Sequence, residues 1–166
     1  MKESEQQHIF NNWLSQHKAL LFKVLRAYAF TSEDQDDLFQ EISLQVWRSI
    51  PKFKQESAVT TWLYRISLNT AIKWSTKERK HDAHQSLDQI QHILIEDNPM
   101  DERLAWLYDE IATLDEIDRS LTLLLLEGFS YKKMATLLGI SESNIGVKIH
   151  RIKKHLAIQS QHSRNK

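Results

Sequence analysis

The chain has 166 residues, 41% apolar and 27% charged, a globular composition long enough for one ordinary domain or two small ones. It holds no cysteine, which excludes a disulfide framework and thiolate metal sites. The polar start Met1-Lys2-Glu3-Ser4-Glu5 does not read as a signal peptide. The longest apolar run, Leu123 to Leu126, falls far short of the ~18 residues of a membrane span. The expectation is a soluble cytoplasmic protein with no membrane insertion. Formal net charge is zero, so few counterions would be released on DNA and the isolated chain should bind it weakly.

Three glycines and two prolines favour long helices. From Ile9 to Tyr28 apolar residues recur at helical spacing, through Trp13, Leu14, Leu20, Leu21, Val24 and Leu25. Thr31 and Ser32 followed by Glu33-Asp34-Gln35 read as a cap and acidic first turn. The helix they open carries Leu38, Phe39, Ile42, Val46 and Trp47 and stops at Pro51. A polar loop from Lys52 to Ala58 precedes a third run, Thr60 to about Lys80, marked by Trp62, Leu63, Ile66, Ala71, Ile72 and Trp74. Three helices over these residues predict a helical domain at 1–80.

Residues 81–100 lack strong periodicity and end in Asp97-Asn98-Pro99, which predicts a linker with at most a helical turn around Leu87 to Ile95. Helical spacing resumes at 101–158 with Leu104, Leu107, Tyr108, Ile111 and Leu114, then Ile117 to Leu126, and 159–166 reads as a tail. The expected fold class is all-α: two small helical domains on a flexible linker, the second containing a helix-turn-helix.

That motif spans Tyr131 to Lys154. Ser130 caps a short helix carrying Met134, Ala135, Leu137 and Leu138; Gly139 supplies a left-handed turn; Ser141 caps the next helix. Small Ala135, Gly139 and branched Ile145 have the spacing that lets two helices cross closely, with the second laid in the major groove. Ile145, Ile149, Ile152 and Leu156 fall on its inner face. Ser141, Glu142, Ser143, Asn144, Val147, Lys148, His150, Arg151 and Lys154 are the candidates to face DNA. The charge pattern agrees: acids dominate from Asp101 to Glu127, whereas Lys148, Arg151, Lys153, Lys154, Arg164 and Lys166 face Glu142 alone after Ser141. The plainer reading is an αα-hairpin with a solvated basic face.

Three stretches, the last of them containing the helix-turn-helix, resemble one family, the extracytoplasmic-function (ECF) group of sigma factors. Asp37-Leu38-Phe39-Gln40-Glu41 with Val46-Trp47-Arg48 resembles its polymerase-binding helix. Thr61-Trp62-Leu63-Tyr64-Arg65-Ile66-Ser67-Leu68-Asn69-Thr70-Ala71 resembles its promoter-melting helix. Leu114-Asp115 through Gly128-Phe129-Ser130-Tyr131 to His150-Arg151 resembles its domain for the promoter −35 element. The resemblance implies a sigma factor that binds core RNA polymerase, through the clamp coiled coil of the largest subunit and other core surfaces, and recognises the −35 and −10 elements of promoter DNA. It also brings an anti-sigma protein as an expected partner, although no residue points to one. Polymerase docking would use Asp37, Leu38, Glu41, Trp47 and Arg48; Leu38, Ile42 and Trp47 read equally well as core.

By the same resemblance, Phe53, Lys54, Gln55, Glu56, Ser57 and Ala58 form the loop that captures a flipped −10 base, and Asn69 lies beside the melted strand. Arg65 is placed with them. Flipping a base costs a few kcal/mol, which stacking returns at roughly 1–3 kcal/mol per base. Trp62, Tyr64 and Trp74 are the available aromatics, though aromatics at helical spacing are more often core. Lys73, Lys77, Arg79 and Lys80 are placed for phosphates. The chain lacks a phosphate-binding Gly-Lys-Ser/Thr loop, so binding energy and not nucleotide hydrolysis would drive melting. Two positions depart from the family: Lys73 stands where an acid is frequent, and Gly146 where a base is frequent.

Two rivals remain at this point. A stand-alone regulator would explain Ser130 to Leu156 but not Trp62 to Ala71. An enzyme could use His81 and His84 as metal ligands, yet no third ligand or pocket is evident. No cofactor, metal or catalytic residue is expected.

Overall fold

The structure, a computed structural model, describes residues 1–78 and 101–164, and all regular structure among them is helical. The chain divides into two compact units, Met1–Asp101 and Glu102–Lys166. The expected linker at 81–100, the turn at Leu87 to Ile95, Arg79, Lys80 and the His81/His84 pair lie outside the described residues. Among those described, no group of three or more His, Cys, Asp or Glu side chains could hold a metal. No helix is long and apolar enough to cross a membrane.

Among the described residues, unit 1 has four helices, α1 (Glu3–Gln16), α2 (Lys18–Tyr28), α3 (Ser32–Ser49) and α4 (Val59–Glu78), with a 3-10 turn at Ile50–Lys52. The single run expected from Ile9 to Tyr28 is thus two helices, broken at His17 (φ −117°, ψ 31°). Periodicity misses the break because Trp13 and Leu20, like Leu14 and Leu21, are seven residues apart, nearly two helical turns. Thr31 caps α3 as expected, its Oγ1 accepting from the Asp34 amide at 3.0 Å. Helix α4 packs on α2 and α3. It turns Leu63, Tyr64, Ser67, Leu68, Ala71, Trp74 and Ser75 inward against Val24, Leu38, Ile42 and Val46. Each fully buried aliphatic side chain contributes about 1.5–3 kcal/mol, so this face, not helix propensity, holds the unit together.

Unit 2 contains α5 (Glu102–Thr113), α6 (Glu116–Leu126), α7 (Tyr131–Leu138) and α8 (Glu142–Arg164). Its core is Ile111, Leu121, Leu124, Met134, Ile145 and Ile149, all fully buried. Leu126, the last of the leucine run, is instead 57% exposed. Arg119 is buried; its Nε donates to the Leu114 carbonyl and its Nη2 to the Ala112 carbonyl, both at 2.9 Å. It thereby supplies donors to carbonyls at the end of α5 that the helix itself leaves unsatisfied. Helix α8 continues through 159–164, where the sequence suggested a tail.

Candidate nucleic-acid interface

The helix-turn-helix forms as its residues dictate. Ser130 Oγ accepts from the Lys133 amide and Ser141 Oγ from the Asn144 amide, each at 3.2 Å. Gly139 takes the left-handed conformation (φ 69°), and the amides of Gly139 and Ile140 both close on the Ala135 carbonyl. Ile145, Ile149 and Ile152 are buried and Leu156 is half-buried, as their spacing predicted.

On the outer side of α8, Glu142, Ser143, Asn144, Val147, His150, Arg151 and Lys154 are exposed, as is Ser141 before it. Lys148 differs. Its ammonium lies 3.7 Å from Asp118 Oδ1 on α6, an ion pair too long for a hydrogen bond. His155 Nε2 similarly approaches Glu110 Oε2 at 3.5 Å, linking α8 to α5.

Burial, then neighbouring Asp115, push the Asp118 carboxyl above its ordinary pKa of 3.8; Lys148 and Arg151 offset this only in part. Burial and Glu110 likewise raise Asp109. A carboxyl whose folded pKa is raised binds its proton more tightly in the folded state. Its charge therefore costs stability above the folded pKa, and that cost is relieved as pH falls through it. The variant Asp118→Asn should gain on the wild type in urea unfolding as pH rises from about 4 to 7. A difference independent of pH would contradict this.

Gly146 faces α7, not the outer stripe: a Cβ there would meet Tyr131 Cε2 at 3.9 Å, an ordinary contact. No neighbour within the chain therefore requires a glycine here. Gly146→Ala should raise the stability of unit 2 by about 0.5–1 kcal/mol, measured by urea unfolding. Destabilisation would mean that α7 cannot accommodate the methyl.

In unit 1, α3 and α4 wall an open groove of about 690 Å³. One wall carries Asp37, Glu41 and Arg48 of the expected docking set; the other carries Trp62, Arg65, Asn69, Lys73 and Lys77 of the expected −10 set. Lys52, which the sequence reading left aside, also lines it. Asp37 is held in place by Trp74, whose Nε1 donates to Oδ2 at 2.8 Å.

Burial reassigns several aromatic and apolar candidates. Leu38 and Ile42 are fully buried and cannot touch a partner directly. Tyr64 and Trp74 are buried too, Trp74 with an edge on the groove, so both rings serve mainly as core. Trp47 is half-buried against Phe10, edge to face at 5.5 Å. Phe53 sits between Trp13 and Trp62, at 5.2 and 5.3 Å between ring centroids, and anchors its loop from below. Trp62 is half-buried, its Nε1 donating to Ser49 Oγ at 3.2 Å. Lys54, Gln55, Glu56, Ser57 and Ala58 remain exposed, and Gln55 adopts φ 59°, a left-handed conformation that a side chain disfavours. Phe39 and Leu44 are exposed on α3; helical spacing grouped Phe39 with the apolar run of that helix and gave no signal for Leu44.

A helix-turn-helix with an exposed polar recognition stripe defines a DNA-reading protein, here joined to a second helical unit with a basic-walled groove. Comparison with known proteins makes the class specific. The family model for Sigma-70 region 2 matches residues 13–81, and that for Sigma-70, region 4 matches residues 104–156. The ECF RNA polymerase sigma-E factor of Haemophilus influenzae is 29% identical over 159 residues, covering 87% of this chain and 84% of the relative. The ECF RNA polymerase sigma factor SigM of Mycobacterium tuberculosis is 26% identical over 157 residues, covering 90% and 76%. Among solved structures, CnrH in complex with the cytosolic domain of CnrY shares the fold at TM-score 0.65 and 21% identity, covering 94% of this chain and 90% of that one. RpoE from Bartonella quintana, in complex with the anti-sigma factor NepR, does so at 0.67 and 19%, covering 89% and 93%. The chain belongs to the ECF group of the sigma-70 family. Its function is promoter-specific transcription initiation with core RNA polymerase on promoter DNA.

Proposed function

We propose that the two units divide this work. Residues 1–80 dock on the clamp coiled coil of the largest polymerase subunit and open the −10 element; residues 101–158 read the −35 element; residues 81–100 connect them. The supporting observation is the α3–α4 groove, which brings Glu41 and Arg48 onto the same cleft as Trp62, Arg65 and Asn69. Docking uses Asp37, Glu41, Trp47 and Arg48, joined by exposed Phe39 and Leu44, while buried Leu38 supports them from the core. The left-handed Gln55 supports a loop already shaped to receive a base, since strain of this kind collects where function requires it. Lys73 and Lys77 face phosphates across the groove.

In this reading the protein acts in the cytoplasm and carries no catalytic chemistry; binding energy opens the DNA. The complex of its structural neighbour RpoE with NepR supports an anti-sigma partner for this chain as well.

The division of labour predicts separable defects. Glu41→Lys with Arg48→Glu should weaken binding to core polymerase by roughly tenfold or more, as reversed interfacial charges do. Asn69→Ala should leave core binding intact but reduce permanganate reactivity of unpaired −10 thymines. Wild-type core binding by the α3 variant would overturn the docking assignment.

A further inference from the structure

Helix α8 exposes two large apolar side chains, Val147 in its second turn and Ile158 three turns further on, and only Val147 lies among the residues expected to enter the major groove. Val147 lies two residues from each of the buried Ile145 and Ile149, about 200° around the helix from both, and is 51% exposed. Ser143 and Arg151, one turn before and after it, are exposed polar neighbours on the same stripe. The two residues flanking Val147 are turned elsewhere, Gly146 toward Tyr131 and Lys148 toward Asp118. Val147 therefore stands on the outer face between Ser143 and Arg151, its methyl groups open to solvent.

A valine side chain has no donor or acceptor, so it cannot distinguish bases by their hydrogen-bonding edges. The apolar group that the major groove presents is the C5-methyl of thymine. We infer that Val147 is a specificity-determining residue that selects a thymine in the −35 element by packing on that methyl. This rests on the assignment of α8 to the −35 element. Within that assignment it names the base and the atom read. The polar neighbours can bond to several bases; the valine gains only where a methyl is present.

The test uses holoenzyme reconstituted from core polymerase and the full chain. A randomised −35 library first identifies the preferred element in a transcription assay. Each −35 thymidine is then replaced in turn by deoxyuridine, which removes only the methyl. The expected result is one position where deoxyuridine lowers transcription roughly three- to fivefold, the factor for one buried methyl. Val147→Ala should lower transcription from the thymidine promoter by a similar factor and abolish discrimination at that position. Alanine is a better helix former than valine, so the variant folds.

A preferred element without thymine overturns the inference, as does equal transcription from thymidine and deoxyuridine at every position. So does discrimination that survives Val147→Ala. If scrambling the whole −35 element leaves transcription unchanged, the −35 assignment of α8 fails. Dependence on the element without sensitivity to the methyl removes the Val147 inference alone.

Discussion

Arg119→Met is expected to lower the stability of unit 2 by about 2–4 kcal/mol, because Arg119 is buried and its guanidinium serves backbone carbonyls. Methionine keeps most of the buried aliphatic volume and loses the donors. The Ala112 and Leu114 carbonyls, now satisfied by the guanidinium at 2.9 Å, would lose that donor. Hydrogen bonds from a charged group contribute about 1.5–3 kcal/mol each. Relief from desolvating the guanidinium returns part of the loss, which keeps the total below the simple sum. Arg119→Lys should fall between, because one ammonium lacks the planar fork that reaches both carbonyls. Urea unfolding followed by amide signals of unit 2 measures the effect. A loss under about 1 kcal/mol would mean that the carbonyls find other donors.

Arg151→Ala should behave in the opposite way. Arg151 is exposed on α8, so its replacement should change stability by less than about 0.5 kcal/mol. An arginine in the major groove can pair with both acceptors of a guanine, and such a contact discriminates by about 1–3 kcal/mol. Transcription from a −35-dependent promoter should fall accordingly, by roughly 5- to 150-fold, with binding to core polymerase unchanged. Equal loss of transcription and core binding would contradict the separation of the two tasks. Together the two variants separate a residue that builds unit 2 from one that uses it.

What the sequence revealed was chiefly what local chemistry controls. Ser130, Gly139 and Ser141 each act within a few residues of themselves, and all three take the roles their types predict. The isoleucine stripe of α8 was legible for the same reason. Position 17 was not, because a one-residue break that preserves a seven-residue spacing leaves the apolar pattern intact.

Long-range partners were less legible still. Nothing adjacent to Lys148 announces Asp118, thirty residues earlier, which draws it off the outer stripe. Arg119, one of two basic residues in the acidic stretch from Asp101 to Glu127, has no local signal for the carbonyls it serves. Aromatics divided by neighbours that periodicity does not specify. Tyr64 and Trp74 went to the core, Phe53 to a ring cluster, and Phe39 to the surface. The burial of Leu38 shows the same limit within α3, where one motif holds a core residue between exposed Asp37 and Glu41.

The most direct measurement is run-off transcription by core RNA polymerase, with and without this protein, on fragments of its own genome. Discrete new start sites that share −35 and −10 sequences, lost on scrambling either element, are the predicted result. A folded protein that binds DNA but produces no new transcript with core polymerase would contradict the account and return α8 to a stand-alone regulator.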